Sequence, residues 1–299
     1  MAIYSIKDLE KLSGIQAHTI RIWEKRYQLV RPKRTNTNIR VYTDEDLKRL
    51  LNVAILNNNG LKISKIARLS DNEVRNKILN LTEDTAKAEN QIDALVVSMI
   101  ELNELKFEKL LSRLVLQIGF EDAITKVIYP FLNKIGVLWQ TGNINPAQEH
   151  FITNLIRQKL FVAIDSVLID ETPDKKRFIL FLPEGELHDI GLLYYTYLIK
   201  KIGHHVIYLG QSVPFPDLIE VNKVQPSQYL LTAFTTSMQY EHVLDYIKSL
   251  SETFPTQQIF ILSNHLNVSD FKKFPNVSKI ENHEAFKEYL LNLRKNMEN

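Results

Sequence analysis

Strand-like and helix-like segments alternate in the C-terminal part of the chain, and this order limits the fold more than any other feature. An apolar strand-like segment that leads to a helical pattern and then to another strand favours an open parallel sheet. The predicted strands lie at 177–183, 205–209, 229–235 and 258–262, with a short one near 278–280. The predicted helices lie at 191–202, 216–224, 238–252 and 284–295. We therefore predict a Rossmann-like, flavodoxin-like α/β domain over residues 175–299.

The loop after the first of these strands carries the strongest chemical signal. It reads Glu186-Leu187-His188-Asp189-Ile190-Gly191. Ligands of open parallel sheets bind at the carboxyl ends of the strands, and Glu186 and His188 occupy such a position. A neutral imidazole binds transition metals, and the Glu186 carboxylate can accept the other ring proton and fix the tautomer. A loop histidine without any ligand is the alternative.

Composition narrows the kind of metal. The chain has no cysteine, which excludes disulfides, iron–sulfur clusters and thiolate zinc sites. A structural ion normally needs four protein ligands, and His188 with Asp189 supplies too few. The loop therefore suits a metal that a macrocycle already encloses. Gly191 permits close approach of a bulky cofactor, although a glycine at a helix start is also ordinary.

The N-terminal segment has the order of elements of a winged helix-turn-helix. Ser5 and Asp8 form a capping-box pattern that opens a first helix, and a turn leads to a second helix at about 16–26. Residues 31–38 break this helix, and residues 39–42 alternate like a strand, which suits a hairpin wing.

A third helix follows the predicted wing. Thr43 and Asp46 repeat the capping-box pattern, and the helix runs to a stop at 57–60. One or two further helical turns fit residues 61–69. We assign residues 1–75 to this winged domain.

Positive charge is concentrated in the same domain. Residues 1–71 hold fourteen Lys or Arg and seven Asp or Glu, a net charge of +7, so the remainder carries −5 of the overall +2. A basic domain attracts the phosphate backbone of nucleic acids, although a solvated basic face explains the charge alone about as well. One face of the second helix is predicted to enter a major groove, and it holds His18, Arg21, Ile22 and Lys25. The packing side chains of this helix are Ile20, Trp23 and Tyr27.

The middle of the chain, residues 80–170, is predicted to form a four-helix bundle. Apolar residues recur there at intervals of three and four. The segments are 90–105, 107–116, 121–139 and 146–169. No segment has the roughly 18 consecutive apolar residues of a membrane helix, and the N-terminus has no apolar signal core. We therefore expect a cytoplasmic protein without a membrane partner.

The N-terminal domain resembles the DNA-binding domain of MerR-type regulators. The resemblance rests on the segments at 19–26, 31–32 and 40–42, which read TIRIWEKR, RP and RVY. It implies that the second helix reads a double-stranded DNA operator and that the wing grips the backbone. The implied contact residues are Arg21, Lys25, Arg34, Arg40 and Tyr42, and the helix face adds His18. Trp23 and Tyr42 could instead pack the small core.

The segment around His188 resembles the cobalamin-binding domain. The signature of that family is an acidic residue, any residue, histidine, two residues and glycine, which Glu186, His188 and Gly191 match. The resemblance implies that His188 is the lower axial ligand of cobalt and that Glu186 orients it. The hydroxyl-bearing turn that the family has after the third strand is matched here by 235–237. Its candidate cofactor contacts are Thr235 and Ser237.

A second signature lies in the helical region, where Trp139 is followed ten and eleven positions later by Glu149 and His150. The same spacing occurs in the light-sensing CarH-like, CarA-like and LitR-like repressors, which combine these three domains in this order. The resemblance implies that Trp139 and Glu149 surround the upper adenosyl group of adenosylcobalamin. It implies that His150 binds cobalt once light has cleaved the cobalt–carbon bond. Alternatively, Trp139 belongs to the core and the other two form a solvated helix start.

The resemblance also implies partners and a mechanism. In the CarH-like group the dark adenosylcobalamin form is a tetrameric repressor that light dismantles, and some related regulators respond to an antagonist protein instead. The present chain departs from the family after the fourth strand, where Leu262 and Ser263 replace a Gly-Gly pair and could crowd the cofactor tail. The alternative is thus a MerR-type regulator with a degenerate cobalamin fold, controlled by a protein partner or another ligand. A corrinoid methyl-transfer enzyme would need no helix-turn-helix, so we expect no catalytic residue and no enzyme.

Overall fold

The structure of the chain is a computed structural model. It describes residues 4–35, 38–58, 60–70, 73–74, 77, 88–140, 145–168, 175–235, 240–263 and 266–298. The chain divides into two compact units, Met1–Leu155 and Ile156–Asn299. None of the described helices is long and apolar enough to cross a membrane.

Unit 1 begins with the predicted winged helix-turn-helix. Its helices are α1 (Ile6–Ser13), α2 (Ala17–Tyr27), α3 (Asp44–Asn58) and α4 (Ile63–Ile66), and its wing pairs β1 (Lys33–Arg34) with β2 (Arg40–Val41) in antiparallel fashion. The Ser5–Asp8 capping box opens α1, and Gly14 ends it in the left-handed conformation (φ 69°). Reciprocal hydrogen bonds between Thr43 and Asp46 open α3. Both capping-box predictions are confirmed.

A small core closes the winged domain. The backbones of Tyr4 and Tyr42 exchange two hydrogen bonds of 2.9 Å, which join the N-terminal segment to the wing. Ile20 is fully buried and Trp23 nearly so, and Tyr27 is partly exposed. The packing face predicted for α2 therefore faces this core.

The rest of unit 1 is helical. It contains α5 (Ala88–Ile100), α6 (Glu104–Ile118), α7 (Phe120–Ala123), a π-helical turn (Ile124–Ile128), α8 (Tyr129–Gln140) and the first part of α9 (Pro146–Asp165). The predicted helices are present, but the π-helical turn interrupts the third of them. Apolar residues recur at intervals of three and four through this turn, so the sequence pattern did not reveal it. Helix α3 packs on α5. At this contact Lys48 Nζ lies 2.9 Å from a Glu101 carboxylate oxygen, and Lys106 Nζ lies 3.1 Å from the other.

The boundary between the two compact units lies within α9, and the winged domain belongs to the same unit as the helices that follow it. The predicted domain limits at 1–75, 80–170 and 175–299 stay a prediction.

Unit 2 contains a five-stranded, fully parallel sheet, which confirms the predicted fold class. Its strands are β3 (Arg177–Pro183), β4 (His205–Val213), β5 (Tyr229–Phe234), β6 (Gln258–Ser263) and β7 (Val277–Lys279), in the order β4-β3-β5-β6-β7. The helices are the second part of α9, α10 (Ile190–Ile202), α11 (Phe215–Val224), α12 (Tyr240–Thr253) and α13 (His283–Glu298), with a 3₁₀ turn at Val268–Phe271. The order of the strands reverses at β3, so the loop after β3 lies at the switch point of the sheet.

Strand β4 is longer than predicted. The pairing of β3 with β4 shifts after Leu180 and again after Phe181, because β4 has extra residues there. Gly210 (φ 83°) and Ser212 (φ 52°) take up the left-handed backbone of these bulges. Because of these bulges, apolar and polar residues do not alternate regularly in the second half of β4, so the sequence pattern predicted a shorter strand.

Candidate cofactor site and DNA-binding face

A buried carboxylate organises the loop between β3 and α10. Glu186 is 1% exposed. Its Oε1 accepts hydrogen bonds from the backbone N–H groups of Leu187 (2.9 Å) and His188 (3.0 Å). Its Oε2 accepts from the backbone N–H (3.0 Å) and the hydroxyl (2.7 Å) of Thr235. Glu186 therefore fixes the loop after β3 to the end of β5.

The same carboxylate orients the predicted ligand. His188 Nδ1 lies 2.6 Å from Glu186 Oε1 and 3.0 Å from Thr235 Oγ1, while 59% of the His188 side chain is exposed. An acceptor at Nδ1 favours the tautomer with the proton on that atom and the lone pair on Nε2. The site can thus offer Nε2 of an exposed imidazole to a metal.

Glu186 is held in its charged form. Burial raises the pKa of this carboxyl, but the hydrogen bonds from His188 and Thr235 outweigh burial, and the pKa lies far below its usual range. A lasting negative charge beside Nδ1 makes the imidazole a better donor to a metal.

Helix α2 presents the face predicted to enter a major groove. All four of its predicted groove-facing side chains are exposed: His18, Arg21, Ile22 and Lys25. Ile22 is an apolar side chain with 52% exposure on this otherwise basic face. The face is open to a partner and bears positive charge, as a phosphate backbone requires.

The wing residues differ in their surroundings. Arg34 is exposed, and its guanidinium donates to the Asn38 side-chain oxygen at 2.5 Å. Arg40 Nε donates to Glu24 at 3.1 Å, and the buried Tyr42 hydroxyl donates to the same carboxylate at 3.4 Å. Burial and then the charge of Glu24 raise the pKa of Tyr42 to about 12. Contact of Arg34, Arg40 and Tyr42 with DNA stays a prediction.

Two segments of the chain match known protein families. Residues 4–73 match the MerR HTH family of regulatory proteins, and residues 91–163 match the B12 binding domain. The chain therefore combines a MerR-type HTH segment with a segment that matches the B12 binding domain.

The chain is similar to two transcriptional repressors over most of its length. It is 27% identical over 223 residues to the HTH-type transcriptional repressor CarH of Myxococcus xanthus, which covers 72% of this chain and 73% of CarH. It is 28% identical over 212 residues to the repressor CarA of the same organism, covering 70% of this chain and 68% of CarA. Its fold is similar to that of the monomethylamine corrinoid protein of Methanosarcina barkeri, with a TM-score of 0.53, 18% identity, and coverage of 69% of this chain and 100% of that one.

The regulator places Gly191 and Leu262 next to each other at the carboxyl edge of the sheet. A Cβ atom added to Gly191 would lie 3.9 Å from Cδ1 of Leu262, which is an ordinary contact. The space beside Gly191 is therefore bounded by Leu262, at a position where the resemblance to the cobalamin-binding domain predicts a glycine. The part of Gly191 in cofactor binding stays a prediction.

The signature residues of the helical region are only partly described. Trp139 lies in α8, but its side chain is outside the described part of the chain, and so is Ser237. Glu149 and His150 lie in the first turns of α9, and their side chains approach to 3.4 Å. His150 is 72% exposed and Glu149 25% exposed. Their roles toward a cofactor stay predictions.

The sequence did not predict two residues that contact the loop between β3 and α10. The Asp189 carboxylate, which is 1% exposed, binds the guanidinium of Arg157 from α9 and the hydroxyl of Tyr208 from β4. No local pattern marks these partners, because they lie 32 and 19 positions from Asp189. The buried acidic residue directly after the histidine was the one available signal.

Proposed function

We propose that this regulator represses transcription from a DNA operator and releases it in response to light, through adenosylcobalamin. The observation that carries the proposal is the cluster of Glu186, His188 and Thr235 at the switch point of a parallel sheet, in a chain that also has a MerR-type domain. The cluster leaves a well-oriented imidazole exposed, as an axial ligand of cobalt must be.

The residues of the chain have distinct roles in this proposal. His188 would hold cobalt through Nε2, and Glu186 with Thr235 would hold the imidazole ring. Gly191 and Ser237 contact the cofactor on the same side. Trp139, Glu149 and His150 would contact the cofactor from the helical region, and His150 would be a candidate cobalt ligand after illumination. Bound adenosylcobalamin supplies a cobalt–carbon bond that visible light breaks.

The output is DNA binding by an assembly of chains. We propose that α2 reads the operator and that a dark homo-tetramer holds several such helices on one DNA molecule. Joining several weak contacts raises operator occupancy far above that of a single domain, so a change in assembly becomes a change in repression. Because its target is DNA, we place the protein in the cytoplasm, and we assign it no catalytic residue.

The test uses purified full-length protein and adenosylcobalamin, mixed and gel-filtered in the dark. We expect a retained corrinoid spectrum, an apparent mass that changes after green light, and weaker binding to a selected operator after illumination. His188→Ala should lower corrinoid retention, whereas exchange of His205, which is partly exposed at the opposite end of the sheet, should not. A dark complex whose spectrum, mass and operator affinity ignore light would contradict light sensing.

One observation favours a second function. Leu262 borders Gly191, where a smaller residue would leave room for a cofactor tail. In the alternative, the sheet is a scaffold and an antagonist protein or another ligand controls the regulator. Leu262→Gly separates the two: retention of adenosylcobalamin only by this variant supports the alternative, and retention by the natural chain supports the photoreceptor.

A further inference from the structure

The buried carboxylate of Asp189 does not cap the helix at whose start it stands. Asp189 stands at the N-cap of α10, where an aspartate commonly accepts hydrogen bonds from the first helical N–H groups. Its side chain makes no such bond. Instead, Oδ1 lies 2.9 Å from Arg157 Nε, and Oδ2 accepts from Arg157 Nη2 and from the Tyr208 hydroxyl, each at 3.0 Å.

The guanidinium that binds Asp189 is itself held in place. Arg157 lies over the ring of Phe161, with 5.7 Å between its guanidinium carbon and the ring centroid. Phe161 meets the ring of Tyr208 edge to face at 6.4 Å. A planar guanidinium bound through two nitrogens and covered by a ring has little freedom to turn.

A buried ion pair of this kind is poor evidence for stability, since apolar side chains of similar size often stabilise a protein as well. What such a pair does provide is a fixed relation between two elements. Here it joins α9 to the residue that directly follows His188.

The other side of His188 is also held. Glu186 accepts from Thr235, and the Gln211 side chain donates to the Leu187 carbonyl at 2.5 Å. With anchors at Glu186, Leu187 and Asp189, the imidazole of His188 takes its position from the elements that supply the anchors. Of the anchors named here, the one at Asp189 comes in part from Arg157 of α9, the helix whose first turns carry Glu149 and His150.

We propose that Arg157 is a positioning residue that acts through Asp189, with Tyr208 as second donor: it ties the β3–α10 loop to α9, so that a displacement of α9 moves His188. The proposal rests on the proposed role of His188 as a cobalt ligand. It assigns Arg157 no contact with the cofactor.

The test compares two ties between the same helices. Arg157→Met removes the clamp, Arg157→Lys keeps its charge, and Tyr208→Phe removes a single oxygen atom. Lys200→Met is the matched control, because Lys200 of α10 donates to the Ile164 carbonyl of α9 at 3.1 Å, away from the loop. Circular dichroism and thermal melting first establish that each variant is folded.

The first readout needs no cofactor. In hydrogen–deuterium exchange of the free protein, we expect amides of residues 184–189 to exchange about tenfold faster in Arg157→Met and a few-fold faster in Tyr208→Phe. Residues 258–263 should be unchanged, and Lys200→Met should leave the loop as in the natural chain. Loop exchange in both Arg157→Met and Tyr208→Phe equal to that of the natural chain would overturn the clamp.

The second readout reports the ligand directly. Cob(II)inamide lacks a base of its own, so nitrogen splitting in its electron paramagnetic resonance spectrum must come from the protein. We expect full splitting in the natural chain and Lys200→Met, a mixture with the unligated form in Arg157→Met, and recovery in Arg157→Lys. Full splitting in Arg157→Met would overturn the positioning role. Absence of splitting in the natural chain would refute His188 as ligand, while exchange would still decide whether the clamp exists.

Discussion

Helix α2, which we propose to read DNA, and the loop after β3 place their charged side chains in opposite ways. The side chains on the basic face of α2 are exposed, and their use depends on a partner that supplies the opposite charge. The loop instead buries the carboxylates of Glu186 and Asp189, and the chain itself supplies their partners from β4, the end of β5 and α9. An exposed basic face is therefore tuned by adding or removing charges, whereas the loop depends on which atoms stay paired.

The largest expected effect lies in the loop. Glu186→Gln keeps the shape but has one acceptor oxygen for donors that now bind both oxygens, so either Thr235 or the loop amides lose their acceptor. We expect the free energy of unfolding to fall by about 3 kcal/mol, measured by urea denaturation. Glu184→Gln is the matched control, since Glu184 is exposed in the same loop and should cost less than about 0.5 kcal/mol. Equal losses in the two variants would remove the contrast between buried and exposed carboxylates.

The second effect concerns the exposed basic face of α2. Arg21→Ala should weaken binding to a selected operator by about 2 kcal/mol, or roughly thirtyfold, with little change in stability. Fluorescence anisotropy against salt concentration measures both the affinity and its salt slope. Lys109→Ala removes an exposed positive charge from α6 and should change affinity less than about threefold. A similar loss from both variants would mean that overall charge, rather than this helix face, binds DNA.

A third prediction concerns a buried group in unit 2. Burial lowers the pKa of His204, whose Nε2 bonds the Leu290 carbonyl at 3.2 Å. Below about pH 6.5 this histidine is therefore protonated in the unfolded chain but stays neutral in the folded chain. The free energy of unfolding then decreases as the pH is lowered, by up to about 1.4 kcal/mol per pH unit. His204→Phe should flatten this dependence between pH 7 and pH 5, as measured by urea denaturation at each pH. An unchanged slope in the variant would assign the loss to other groups.

The smallest expected effect comes from removing a negative charge, that of Glu24, from the same basic domain. Glu24→Gln weakens the ion pair with Arg40 and the bond from Tyr42, so stability should fall by about 0.5 kcal/mol. Operator affinity should rise about threefold, because a negative charge leaves the DNA-facing domain. Lower affinity would show that Glu24 holds Arg40 in the orientation that DNA requires.

The regular parts of the fold were predictable from the sequence. Alternation of strands and helices located the parallel sheet, and capping boxes at Ser5 and Thr43 located two helix starts. The bulged end of β4 was not predictable, since its left-handed residues include Ser212, which carries no turn signal of the strength of glycine.

The residues of the site likewise fall into those that a local sequence pattern predicted and those that it did not. Glu186 and His188 stand two positions apart in a recognisable pattern, and Thr235 was expected as a hydroxyl at the end of the third strand. Arg157 and Tyr208 were not, because the partner of a buried carboxylate is chosen by tertiary packing and leaves no periodic trace. Contacts of long sequence separation are the part of a site that local patterns do not encode.

The packing of α3 on α5 has a consequence for the operator. Since the winged domain is joined to the helical region through Lys48 and Glu101, two chains that associate through that region would hold their α2 helices at one separation and one helical phase. Binding of such an assembly would depend on the number of base pairs between the two half-sites. Inserting five base pairs between half-sites would turn one of them to the opposite side of the duplex, whereas inserting about ten would restore the phase.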